Sequence, residues 1–191
     1  MNRTFFQDQK FDNIRFTGKA LETADYENCI FTGCDFSDSD LSDSNFLECT
    51  FIGCNLSLTS LMNTSIRETV FRDCKLLGLH FDDCSRLFLS FEFDNCSADL
   101  CSFNKLVLNG TKFKNSRITE ADFTESELKR SSFINCDLQR SIFRNTNLEG
   151  ADFRSSFNYS IDPSSNRIRK ARFSLSGLPG LLDRFDIIIE E

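Results

Sequence analysis

The chain has 191 residues, 29 acidic and 22 basic side chains, and a formal net charge of −7. That balance lacks the basic face needed for direct nucleic-acid binding, and no stretch approaches the roughly 20 apolar residues of a bilayer-spanning helix. No basic N-terminal run precedes an apolar stretch, so no secretory signal is read, and a soluble cytoplasmic protein with no membrane contact is the expectation.

The chain uses 22 Phe but no Trp and only two Tyr. One side-chain shape is being chosen repeatedly, which points to an internal repeat. Every fifth residue from Phe6 is large and apolar: Phe6, Phe11, Phe16, Leu21, Tyr26, Phe31, Phe36, Leu41, Phe46, Phe51, Leu56, Leu61, Ile66, Phe71, Leu76 and Phe81. The comb restarts at Phe93 and runs to Phe153, with Ala98 its one small member. Neither the 3.6-residue period of a helix nor the two-residue period of a strand predicts this spacing. A second comb, two residues earlier, holds small side chains such as Ala24, Cys29, Cys34, Ser39, Cys49, Cys54, Thr59 and Thr64. Residues two apart on extended backbone point to the same side, so each five-residue step sends one small and one large side chain inward.

The motif small-x-[Leu/Phe]-x-x stands in Cys34-Asp-Phe-Ser-Asp, Ser39-Asp-Leu-Ser-Asp, Ala121-Asp-Phe-Thr-Glu and Ala151-Asp-Phe-Arg-Ser. It resembles the pentapeptide repeat family over residues 5–157. The resemblance implies an all-β solenoid, a right-handed quadrilateral β-helix with four pentapeptides per coil. Residues twenty apart then stack. One predicted column is Phe11, Phe31, Phe51, Phe71, and a second is Leu21, Leu41, Leu61, Phe81. Both continue after a two-residue shift, through Phe93, Phe113, Phe133, Phe153 and through Phe103, Phe123, Phe143. By the same shift the column Phe6, Tyr26, Phe46, Ile66 is expected to continue inward at Phe88. A rod of about eight coils over residues 1–173 is expected, with a small bulge within residues 82–92.

All but one of the nine Cys fall on the small inward comb, and Cys84 fits it too. Metal ligands usually come as tight Cys-x₂₋₄-Cys pairs, and the chain has a single His, His80, at an outward position. The cysteines therefore read as small apolar packing elements, with no metal and no cofactor. No nucleophile–base pair or Gly-rich phosphate loop is visible, so no catalytic residue is assigned and the chain is not expected to be an enzyme.

Residues 20–66 carry eight acidic side chains, Glu22, Asp25, Glu27, Asp35, Asp38, Asp40, Asp43 and Glu48, and no Lys or Arg. All eight fall on outward slots. Two readings stand: a solubility face, or a rigid acidic rod resembling duplex DNA that occupies a basic DNA-binding groove. Past Phe157 the repeat loosens. Residues 174–185 are predicted to form a short helix with Ser176 as N-cap and Pro179 in its first turn, and Asp186–Ile189 a final strand.

Leu178, Leu181, Leu182, Phe185, Ile187, Ile188 and Ile189 are more apolar residues than one end cap needs. Residues 174–191 are thus a capping segment, a homodimer interface, or both. The order of rod, short Leu-rich helix and apolar terminus is similar to that of the Qnr-type quinolone-resistance proteins. That resemblance implies a homodimeric DNA mimic that binds DNA gyrase or topoisomerase IV. Those proteins often carry two long projecting loops. Here the only break adds two residues, so the likeness is to loop-free relatives. A structural or adaptor scaffold for another protein partner is the alternative.

Overall fold

The computed structural model describes residues 3–17 and 22–188. The four-sided right-handed β-helix is present, and its faces can be followed in chain order. The first face is built by β1 (Thr4–Gln7), β3 (Ala24–Glu27), β5 (Asn45–Leu47) and β7 (Ser65–Arg67), paired in that order. The second face holds β2 (Lys10–Asp12), β4 (Ile30–Thr32), β6 (Thr50–Ile52), β8 (Thr69–Arg72), β9 (Phe91–Asp94), β10 (Lys112–Lys114) and β11 (Ser132–Ile134), also neighbour to neighbour. All pairings are parallel, as a coil of constant hand requires.

The other two faces consist of isolated parallel bridges. The third runs Arg15, Asp35, Asn55, Lys75, Ser97, Arg117, Asp137 and Phe157. The fourth includes Asp40 beside Ser60 and then His80, Ser102, Asp122 and Ile142. These faces are shortened by tight turns. Ser39 N–H donates to Phe36 O at 3.0 Å and Ser44 N–H to Leu41 O at 3.2 Å, closing a four-residue turn at each corner.

Register follows the twenty-residue prediction. Phe11 pairs with Phe31, Phe31 with Phe51, and Phe51 with Phe71. Rings one coil apart lie nearly parallel: Phe31 and Phe51 are 4.7 Å apart at 8°, and Phe133 and Phe153 are 4.7 Å apart at 11°. That separation matches the interstrand spacing, so the offset stack follows from the coil repeat. The last coil ends at Phe173, stacked 5.4 Å from Phe153.

Corner residues take the left-handed conformation almost without exception, from Asp8 (φ 56°) and Asn13 (φ 54°) to Asn145 (φ 54°). This position, two after each large inward residue, explains why Asn, Asp and Gly recur there. Leu58 and Leu100 hold the same conformation at φ 58° with exposed side chains.

The small inward comb is a row of donors. Thr64 Oγ1 donates to Leu41 O at 2.9 Å, Ser131 Oγ to Leu108 O at 2.7 Å and Cys54 Sγ to Phe31 O at 3.3 Å, each to the backbone 23 residues earlier. Every Cys is free and buried, Cys84 included. Burial pushes the Cys49 and Cys136 thiols up to about 12, as expected for packed, unreactive groups.

The register slips by two residues between Phe71 and Phe93, and the filling of the slip differs from expectation. Phe71 pairs with Phe93, and the rings of these two residues meet edge-on at 88° instead of stacking. Phe88 does not continue the inward column. It is 72 % exposed at φ 59°, while Leu89 and Phe91 turn into the core. The extra residues must leave the five-residue path somewhere, and periodicity alone does not say which side chains are ejected.

The tail also departs from expectation. Its helix is a 3₁₀ helix over Leu175–Leu181, followed by a 3₁₀ turn over Asp183–Phe185. The N-cap is Ser174, whose Oγ accepts from Gly177 N–H at 3.2 Å; Ser176 is already inside the helix. Residues 186–188 form no strand, and Ile189 lies outside the described residues. Asp186 is left-handed at φ 48°, which ends any extended run at its first residue.

Candidate functional site

The eight predicted acidic residues are distributed around the rod by the four-face geometry. Asp25 and Glu27 flank inward Tyr26, and Glu48 follows Phe46, so these three lie on the first face. Asp35 and Asp38 flank Phe36 on the third face. Asp40 and Asp43 flank Leu41 on the fourth, and Asp43 marks the edge where the fourth face meets the first. Glu22 is exposed, and its carboxylate accepts from Thr4 Oγ1 at 2.5 Å.

Position within the pentapeptide separates two kinds of carboxylate. Residues just before the large inward side chain are tied into the coil. Asp25 accepts from Asn45 Nδ2 at 2.5 Å and pairs with Arg3 Nε at 2.8 Å. Asp35 accepts from Ser37 N–H and Oγ and from Asn55 of the next coil. The Ser37 bonds hold its carboxyl below the usual range, and Ser42 does the same for Asp40. The corner carboxylates of this set face water, whereas corner Asp8 and Asp73 accept from Asn28 and Asn95. The carboxylates of Asp38, Asp43 and Glu48 receive no side-chain hydrogen bond or ion pair among the described residues, and Arg3 Nη2 donates to the backbone O of Asp43. Glu27 is intermediate, accepting a 3.4 Å bond from Gln7.

The fourth face extends the acidic row beyond the predicted set. Asp82 and Asp83 occupy a 3₁₀ turn after Phe81, and Asp122 and Glu125 flank Phe123 two coils further on. The signal was present in the sequence, since Asp122 follows Asp40 by four twenty-residue coils plus the two-residue shift. Pairing is light here: Asp82 lies 3.6 Å from exposed His80 and Glu125 4.0 Å from Lys105.

Charge reverses toward the C-terminus. A concavity of about 670 Å³ is lined by Asn109, Gly110, Lys129, Arg130, Glu149, Gly150, Arg169 and Lys170. Corner glycines alternate with corner cations along this edge, and the missing side chains open the hollow. The combs do not reveal it, because they track only the inward positions.

The tail lies across the end of the last coil. Ile161 N–H donates to Gly180 O at 2.8 Å, and Tyr159 packs against the backbone at Gly177 and Gly180. Arg184 is hydrogen-bonded to Asp162 and Ser164. Of the predicted interface residues, Leu181 packs on the core and Leu182 is half-buried. Leu178, Phe185, Ile187 and Ile188 remain exposed, Ile188 at 89 %. Leu175, at 87 %, joins them and was not predicted. No helix among the described residues is long and apolar enough to cross a membrane, and no group of three metal-ligating side chains occurs among them.

A family model for a pentapeptide repeat region matches residues 24–99, and one for pentapeptide repeats in eight copies matches residues 116–154. Together they span more than half of the chain. No curated protein matches. Among solved structures, a trypsin-treated variant of QnrB1, a plasmid-mediated fluoroquinolone resistance protein, aligns with TM-score 0.74 and 21% identity over 98% of each chain. Full-length QnrB1 aligns with TM-score 0.54 and 19% identity over 96% of this chain and 100% of its own. HetL, a protein of Nostoc sp. strain PCC 7120 involved in heterocyst differentiation regulation, aligns with TM-score 0.57 and 17% identity, covering 92% of this chain and 88% of its own. Identities this low carry the fold alone. With the register, the stacked rings and both sequence models in agreement, the chain belongs to the pentapeptide repeat family.

Proposed function

We propose that this protein is a non-enzymatic, homodimeric mimic of duplex DNA that binds a type II topoisomerase, DNA gyrase or topoisomerase IV, and modulates quinolone action. The carrying observation is the row of solvent-facing carboxylates on the first and fourth faces of a rigid rod. Residues 1–99 sum to −9, with 17 acidic and 8 basic side chains. They fill about five coils, roughly 24 Å at ~4.8 Å per coil, or about one net charge per 2.7 Å. Duplex DNA carries one per ~1.7 Å, the same order. A groove built to neutralise phosphates meets a comparable line of charge held without the flexibility of long side chains. The structural likeness to QnrB1 supports this reading. The exposed Leu175, Leu178, Phe185, Ile187 and Ile188 support dimerisation through the tail, which leaves the acidic ends outward.

A second reading, an adaptor scaffold for another protein, is favoured by Asp25, Asp35 and Asp40, whose carboxylates already serve the coil. Supercoiling assays with purified gyrase decide between them. The DNA-mimic reading expects salt-sensitive binding and a shift in quinolone inhibition at micromolar protein. No binding and no shift refute it.

A further inference from the structure

We infer that Leu87 and Phe88 form the apolar anchor of a protein-binding surface on the first face, whose partner presents an apolar pocket bordered by basic side chains. The inference rests on the protein-binding reading above and assigns the anchor to that same partner.

Extended strands on the first face stop at β7 and its pairing resumes above the bulge as isolated bridges from Val107 to Glu127, Asn147 and Arg167, whereas strands of the second face continue through β11. The break is the two-residue bulge. Ser85 N–H donates to Thr64 O, 21 residues back as in a regular coil, but Ser90 N–H donates to Ile66 O, 24 residues back, so residues 86–89 arch outward between them. Leu87 and Phe88 are thrown out to 60 % and 72 % exposure. On the coil above, Val107 is 63 % exposed.

The fold gives no reason for an aromatic residue at this point. A corner needs φ > 0, which Asn or Gly meets with the least steric cost and a bulky side chain meets badly. Phe88 holds φ 59° with its ring in solvent. The guanidinium carbon of Arg67 lies 5.5 Å from the ring centroid. Arg67 Nε is buried and without a hydrogen-bond partner among the described residues. An aromatic ring and an arginine side by side are residue types enriched in protein interfaces.

Charge around the anchor selects the partner. Glu27, Glu48 and Glu68 lie on the first face in the three coils below the bulge, one per coil. Beside it a hollow of about 310 Å³ is lined by Glu68, Ser90, Phe91, Glu92, Asn109 and Gly110. A basic surface is steered by the carboxylates and held by the two apolar side chains, a division between association and dissociation.

The test is binding kinetics of the full-length protein to purified gyrase. Phe88→Asn with Leu87→Ser suits the left-handed corner, so the melting temperature is expected to hold or rise. Dissociation is expected to accelerate at least about tenfold, with Phe88→Tyr close to wild type. Glu27→Gln, Glu48→Gln and Glu68→Gln together are expected to slow association and flatten its salt dependence. Binding of the double variant within twofold of wild type overturns the anchor and leaves the DNA-mimic reading standing. Absence of wild-type binding overturns both.

Discussion

Thr64 shows what the small inward slot does. Its Oγ1 sits in the core and satisfies the carbonyl of Leu41, one coil below. Cys54, Ser131 and Thr146 make the same bond elsewhere, which is why Cys, Ser and Thr interchange at this slot. From the sequence the cysteines at this slot read as packing elements, because size is visible in a comb and a bond 23 residues away is not. Thr64→Val keeps the volume and removes the donor. A loss of about 1–2 kcal/mol is expected in urea unfolding, and Thr64→Cys should lose less. Asp99 is a second buried case. Burial works against its charge, but hydrogen bonds from Arg117, Thr119 and Ser97 outweigh that and hold its carboxyl below the usual range. A depressed folded pKa contributes stability fully above the unfolded value, about 3.9, and loses it as pH falls through the folded value. The melting temperature of Asp99→Asn should therefore lie furthest below wild type above about pH 5, and the gap should close toward pH 2–3.

At the scale of the element, the tail is held by close backbone approach. A Cβ at Gly180 would lie 2.2 Å from Tyr159 O and 3.0 Å from its ring. Gly180→Ala must therefore move backbone, at a cost of about 1–3 kcal/mol. Loss of hydrogen-exchange protection at Ile161, whose N–H bonds Gly180, is the expected sign, with the lower coils unchanged. Neither the Ser174 cap nor the 3₁₀ geometry was legible beforehand. Ser174 and Ser176 are equivalent as sequence, and only the docking of Gly177 and Gly180 on Tyr159 selects between them. Phe88 failed for a related reason. A two-residue insertion can place any of several apolar neighbours inward, and the fit of Leu89 and Phe91 beside Phe81 decided which.

For the whole molecule, a solenoid exposes an apolar cross-section at each end, and the tail covers one of them. It leaves Leu175, Leu178, Phe185, Ile187 and Ile188 in water. Light scattering on the full chain should give about twice 21.9 kDa. A monomer at high concentration would show that residues 174–191 only cap. The charge asymmetry belongs to this scale too, with an acidic surface over the first and fourth faces and a cationic hollow at Lys129, Arg130, Arg169 and Lys170.

The five-residue comb by itself determined that the chain coils and that the cysteines point inward, and the likeness to pentapeptide repeats supplied the four sides. Burying one large and one small side chain per step demands a regular turn every five residues, and with four sides per coil residues twenty apart stack. Only the tertiary structure decided what faces out. Outward side chains have no shared packing constraint, so their grouping into faces, the ejection of Phe88 and the split between tied and free carboxylates depend on which residues the coils bring side by side.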